Sequence, residues 1–174
     1  DKMADTNEET GLWLEELAAP YYIFKEAGAA ITLASPGGGR VPLDPKSQAI
    51  ILATSSTKRF LKDDEAMKFL SNAIPVEEVS DDDFDVIFLP GGYGLMWDLA
   101  DSEKVRQLLE IFYSKNKLIG VISHGIACLL LLKNSRGEVL IKGKQLTGIS
   151  NSEENLSGSK DVTPFLLESK LLSL

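Results

Sequence analysis

The feature that most constrains the fold is a pair of short apolar runs, Asp85-Val-Ile-Phe-Leu89 and Lys117-Leu-Ile-Gly-Val-Ile122, rich in branched side chains and stopped by glycine or a polar pair. Runs of this length read as buried strands. Between them, from Asp101 to Lys115, Val105, Leu108, Leu109 and Phe112 recur at helical spacing with charges on the other face, which predicts a helix. Strand, helix and parallel strand in succession predict an α/β fold with a mainly parallel central sheet and helices on both faces.

The loops at the ends of the two strands point to chemistry. Pro90-Gly91-Gly92-Tyr93-Gly94 ends the first strand in a glycine-rich turn that exposes backbone amides. Ser123-His124-Gly125 ends the second and leads straight into the apolar stretch Ile126 to Leu132, read as a helix. A polar pair between a buried strand and a buried helix has no packing reason to be there, beyond Ser123 capping the helix. Ligands of open α/β sheets bind at the carboxyl ends of the strands, where both loops lie, so the active site is expected here.

Composition narrows the chemistry. With 174 residues and 44% hydrophobic content the chain suits one domain, residues 1–174, with a substantial core. A formal charge of -8 argues against nucleic acid or an anionic membrane as partner. One cysteine, Cys128, leaves no internal disulfide, and one histidine, His124, leaves no histidine-rich metal site. No metal and no cofactor are expected. Cys128, inside Ile126-Ala-Cys-Leu-Leu-Leu-Leu132, reads as a buried core thiol. No apolar run approaches the roughly 20 residues that span a bilayer, and no secretory pattern opens the chain, so the expected compartment is the cytoplasm.

The remaining elements are read from local signals. Asp1 to Thr10 reads as loop, with Thr6 or Thr10 as a helix cap, and Gly11 to Ala27 as a helix that Pro20 kinks or breaks. Within it Glu15 and Glu16 are adjacent, so one faces solvent and the other the sheet. Ala29 to Ala34 reads as a strand, Ser35 to Pro45 as an irregular loop, and Ser47 to Ser56 as a loop over the site. Asp63 to Ala73 reads as a helix and Pro75 to Asp83 as an acidic linker. Val139 to Ile141 and Gln145 to Ile149 read as a hairpin, Asn151 to Lys160 as polar loop, and Thr163 to Leu172 as a helix capped by Thr163.

Several stretches together resemble the ThiJ/PfpI superfamily, which has a class I glutamine amidotransferase-like, flavodoxin-like fold, a three-layer sandwich. They are Gly11-Leu-Trp-Leu-Glu-Glu-Leu17, Ala34-Ser-Pro-Gly-Gly38, Leu43-Asp-Pro-Lys-Ser47, Leu89-Pro-Gly-Gly-Tyr-Gly-Leu-Met-Trp-Asp-Leu99, Ser123-His-Gly125 and Gly143-Lys-Gln-Leu-Thr-Gly-Ile-Ser-Asn-Ser-Glu-Glu154. Within that superfamily the chain is most similar to the branch of heat-shock chaperones and glutathione-independent glyoxalases. The resemblance also implies a strand before Asp1 and a strand plus helix after Leu174, so the chain is expected to be part of a longer protein.

The resemblance implies roles for particular residues. The corner residue of such proteins is a cysteine of lowered pKa, followed by histidine, with an acid from the first helix bonded to the sulfur. Here these positions are Ser123, His124 and Glu16. An acid orienting the histidine maps to Glu154, with Glu153 as the neighbouring alternative. Substrate and oxyanion contacts map to Gly91, Gly92, Tyr93 and Trp97, the oxyanion amides being those of Gly92 and His124. Two positions depart from the pattern: Ser123 replaces the cysteine, and Tyr93 stands where this branch often has histidine. A serine hydroxyl is far less acidic than a thiol and needs general-base help, which His124 oriented by Glu154 is placed to give. The implied activity is conversion of methylglyoxal-like 2-oxoaldehydes to 2-hydroxy acids without glutathione, or a related deglycase or hydrolase reaction. The alternative is a noncatalytic stress chaperone acting on unfolded-protein clients. A homodimer is expected by resemblance.

Overall fold

The computed structural model describes Lys2, Met3 and residues 6–174. Its elements in chain order are α1 (Leu14–Glu26), β1 (Ala34–Ser35), α2 (Ser55–Phe60), α3 (Asp64–Ser71), β2 (Ile74–Pro75), β3 (Val86–Leu89), α4 (Glu103–Ser114), β4 (Leu118–Val121), α5 (Asn151–Ser157) and α6 (Leu167–Leu172). Short 3₁₀ turns fill several of the connections. β1 pairs with β2 and β3 with β4, both in parallel.

The βαβ unit forms as its periodicity predicts. Ser102 caps α4 by accepting from the Val105 amide at 3.3 Å, and Val105, Leu108, Leu109 and Phe112 are all buried. Successive strand residues point to opposite faces. Ile87 and Leu89 therefore join the cluster that contains Leu108 and Leu109 of α4, whereas Phe88 meets Phe24 of α1 edge to face at 5.7 Å. Helices thus cover both faces of β3. A second cluster joins Leu14, Leu17, Tyr21 and Tyr22 of α1 to Phe60 of α2 and Leu70 of α3. Burying each such side chain contributes about 1.5–3 kcal/mol.

The two central strands are less buried than their composition implies: Val86 is 46% and Leu118 69% exposed. Each is paired on one side only among the described residues. The strand expected over Ala29 to Ala34 shrinks to Ala34–Ser35 for the same reason, extended only by an Ile74 amide donating to the Leu33 carbonyl at 2.9 Å.

Other differences have local causes. α1 runs through Pro20 unbroken; packing of Leu17, Ala18, Tyr21 and Tyr22 on either side holds it, although Pro20 cannot bond the Glu16 carbonyl. Thr10 does not cap α1, because its hydroxyl donates to Asp44 at 3.0 Å, and Thr6 bonds the Met3 carbonyl at 2.6 Å. Ser47 to Ser56 is no plain loop: Thr54 and Thr57 form a capping box that starts α2. The acidic linker starts at the last residue of β2 and contains two 3₁₀ turns, with Val76 and Val79 in the core. The expected hairpin does not form among the described residues. Val139 instead bridges Lys133 around a turn in which Asn134 Oδ1 accepts from the Arg136 and Glu138 amides. Ile126 to Leu132 is entered through a 3₁₀ helix, Ser123–Leu129, rather than an α-helix, and Thr163 does not cap α6, which starts after Leu166.

Candidate active site

The register of β3 on β4 decides what meets at their carboxyl ends. Leu89 lies opposite Val121, and the Ile122 amide donates to the Leu89 carbonyl at 3.1 Å, so Gly91 and Ser123 arrive side by side. A Cβ at position 91 would lie 2.6 Å from Ser123 Cβ and 2.0 Å from Glu16 Oε2, which leaves room for glycine alone. Ser123 has φ of 53°, a left-handed conformation that costs a non-glycine residue about 1–3 kcal/mol. A sharp strand-to-helix corner of this kind presents a hydroxyl at the end of a sheet.

Glu16 reaches the corner because the start of α1 docks on the same loop. The Trp13 amide donates to the Gly91 carbonyl at 3.2 Å, and Gly92, with φ of 114°, packs backbone to backbone against Gly11 and Trp13. Glu16 Oε2 is buried with no hydrogen-bond partner among the described residues, although the Ser123 hydroxyl and the Gly91 backbone stand beside the carboxyl. Burial raises the Glu16 pKa above its ordinary value, and the Ser123 and Gly91 contacts only offset this. Glu15 turns away and accepts from the Thr54 hydroxyl at 2.5 Å.

On the other side of Ser123 stands His124, buried at 3% exposure. Ser123 Oγ lies 3.4 Å from its Nδ1, and its Nε2 lies 2.5 Å from Glu154 Oε1. With Nε2–H donating to Glu154, the Nδ1 lone pair faces the serine hydroxyl. Glu154 is brought there by α5, whose first turn is fixed by a capping box between Ser150 and Glu153. Glu153 is spent on that cap, so Glu154, 1% exposed, is the acid that meets the imidazole.

The polar loop expected over Asn151 to Lys160 is therefore largely this helix. The signal for it lies in Ser150-x-x-Glu153. Tyr93 is buried and its hydroxyl donates to Glu154 Oε2 at 3.0 Å, with Ser157 Oγ also at 3.0 Å; the resemblance places Tyr93 among the substrate contacts, and nothing in the sequence singles out Ser157. Trp97 is half-buried against the main core cluster. Cys128 is buried, and burial pushes its thiol up to about 12, which makes it a poor nucleophile. A cavity of about 340 Å³ is lined by Leu33, Ala34 and Val86 to Leu89 rather than by Ser123, His124 or Glu16.

Ser123, His124, Glu16, Gly91, Glu154 and Tyr93 thus form one contiguous constellation. It couples a hydroxyl at a strained corner, a histidine lone pair beside it, a buried acid holding that histidine, and a second carboxyl inclined to keep its proton.

A model described as the DJ-1/PfpI family matches residues 9–164. The chain belongs to the DJ-1/PfpI family. A glutathione-independent glyoxalase of Schizosaccharomyces pombe is 27% identical over 153 residues, which are 86% of this chain and 63% of that protein. Glyoxalase 3 of Candida albicans is 26% identical over 157 residues, and the chain spans 63 to 66% of the length of these two relatives. Among solved structures, the Francisella tularensis Rapid Encystment Protein 24 KDa superposes with a TM-score of 0.93 at 38% identity, covering 99% of this chain and 76% of that one. Glyoxalase III of Candida albicans superposes with a TM-score of 0.86 at 24% identity, covering 95% and 72%. The flavodoxin-like α/β fold expected from the sequence is the fold of these neighbours.

Proposed function

We propose that the protein is a glutathione-independent glyoxalase-type enzyme that converts small 2-oxoaldehydes such as methylglyoxal to 2-hydroxy acids, with Ser123 as nucleophile. The observation that carries this is the unbroken contact chain Glu16, Ser123, His124, Glu154 at the carboxyl ends of β3 and β4. The names of the relatives point the same way.

Each group has a step. His124 Nδ1 takes the proton as Ser123 Oγ adds to the aldehyde carbon, forming a hemiacetal. The imidazolium that results is balanced by Glu154. A proton then leaves the former aldehyde carbon and is returned to the neighbouring carbon as the ketone becomes a hydroxyl, giving an ester of Ser123. Glu16, buried beside Gly91, is placed to relay that proton. Water cleaves the ester, releasing the 2-hydroxy acid and restoring the serine. A hydroxyl is a weaker nucleophile than the thiolate that the resemblance places at this corner, so turnover with Ser123 is slow.

Loss of methylglyoxal without glutathione tests the proposal, comparing the protein with Ser123→Cys and Ser123→Ala. Turnover should rise by about tenfold or more with cysteine, in keeping with its greater nucleophilicity at neutral pH, and vanish with alanine. Folded protein that leaves the aldehyde untouched in all three forms would defeat it.

A second reading, a noncatalytic stress chaperone, is favoured by one feature: Ile50 and Ile51 are 93% and 91% exposed, side by side. Suppressed aggregation of an unfolded client by Ser123→Ala would support that reading. Deglycase activity, a homodimer and a cytoplasmic location are further proposals that rest on the resemblance.

A further inference from the structure

We propose that Tyr93 is a positioning residue: its hydroxyl holds the second oxygen of Glu154 and its ring backs the imidazole, so that His124 keeps the tautomer that receives the Ser123 proton. The proposal deepens the glyoxalase reading and rests on it.

The geometry assigns Tyr93 this part from three sides. Its hydroxyl donates to Glu154 Oε2 at 3.0 Å while Oε1 of the same carboxylate takes His124 Nε2 at 2.5 Å. Both oxygens of a carboxylate 1% exposed are thereby engaged, and its plane is held between two donors. The Tyr93 ring lies 4.3 Å from the imidazole, centroid to centroid, at a tilt of 42°. Ser157 Oγ, 3.0 Å from the phenol oxygen and 2.9 Å from the Glu154 carbonyl, ties the same residue to the last turn of α5. Burial raises the phenol pKa above its ordinary value, so the hydroxyl remains a donor at neutral pH.

The position in the chain adds a reason. Tyr93 comes directly after the Gly91-Gly92 pair that lies against Ser123 and α1, so one residue connects the nucleophile's loop to the helix that carries the acid. A residue only 7% exposed, with its hydroxyl already donated, is poorly placed to bind substrate.

Because His124 is the chain's one histidine, its imidazole ¹⁵N signals need no assignment. In the parent protein they should report protonation at Nε2. Tyr93→Phe keeps the ring and removes the hydroxyl. It should shift the signals toward a mixture of Nε2–H and Nδ1–H and lower kcat/KM for methylglyoxal by about tenfold through kcat, the scale of one hydrogen bond to a charged group. Ser157→Ala, which leaves the Tyr93 to Glu154 bond, should keep the Nε2–H pattern.

An unchanged imidazole pattern in Tyr93→Phe overturns the proposal: with a raised KM it makes Tyr93 a substrate contact, and with only a lower melting temperature it makes Tyr93 a packing residue. A change in Ser157→Ala as large as that in Tyr93→Phe overturns it too, by placing the control in the last turn of α5. If none of the variants consumes methylglyoxal the glyoxalase reading fails, while the imidazole signals still decide what holds His124.

Discussion

Glu16 carries a carboxyl whose burial disfavours its charge, and this has a measurable sign. Its folded pKa lies above the ordinary value of 4.5, so the folded state holds a proton that the unfolded chain has released over the window from that value up to the raised one. The stabilisation is fully present below the window and is lost as pH rises through it. Glu16→Gln keeps the shape and cannot ionise. Its melting temperature should therefore fall less than the parent's as the pH rises from the ordinary carboxylate value through the raised one. Parallel melting curves across that range would mean that Glu16 is solvated as an ordinary surface acid. At this scale much is legible in the sequence: Ser123-His124 at the end of one apolar run has no packing reason to be there beyond a helix cap, and the glycine-rich turn at Gly91-Gly92 ends the other run beside it. The environment of Tyr93 is not, because a tyrosine that faces substrate and one that holds a buried acid look alike until Glu154 is in place.

The elements are legible where periodicity is long and amphipathic, as in α4, and are lost where short-range polar chemistry decides. α5 is the clearest case. Asn151-Ser-Glu-Glu-Asn-Leu-Ser157 has almost no apolar face, and it is started by the reciprocal bonds of Ser150 and Glu153, with the Asn151 amide donating to Glu168 Oε2 at 2.7 Å. The Gln145 to Ile149 segment fails in the opposite direction, since alternating apolar residues suggest a strand that finds no partner among the described residues. Because α5 carries Glu154, its cap bears on the site as well as on stability. Ser150→Ala should cost about 1 kcal/mol, the usual worth of an N-cap. It should also lower methylglyoxal turnover, since fraying of the first turn moves Glu154, four residues on, away from His124. Chemical denaturation and kinetics on the same variant check both. A loss of stability with turnover unchanged would show that packing of Glu154 between Tyr93 and the imidazole holds it without the cap.

Across the whole molecule, the two parallel ladders are separate pairs whose facing edges enclose an apolar cleft of about 340 Å³. Leu33, Ala34 and Val86 to Leu89 line it, with Val76 and Val79 from the segment after β2 and Leu108 of α4. The two halves share the main core cluster, on which Ala34 and Ile74 pack, and are tied outside the ladders by the Trp13 to Gly91 hydrogen bond. Parallel strands are normally covered on both faces and paired along both edges, and among the described residues these facing edges leave apolar surface unpaired. In a chain of residues 1–174 an environment-sensitive apolar dye such as anilinonaphthalene sulfonate should therefore bind and brighten. Val86→Asp puts a charge on the cleft wall at a side chain 46% exposed, where the fold tolerates it, and should remove most of the signal. Ile51→Ser, at a side chain 91% exposed outside the cleft, should leave the signal nearly intact. The reverse result would move the binding surface to the Ile50-Ile51 turn, the feature that favours the chaperone reading, and would mean that the two ladders close on one another in solution.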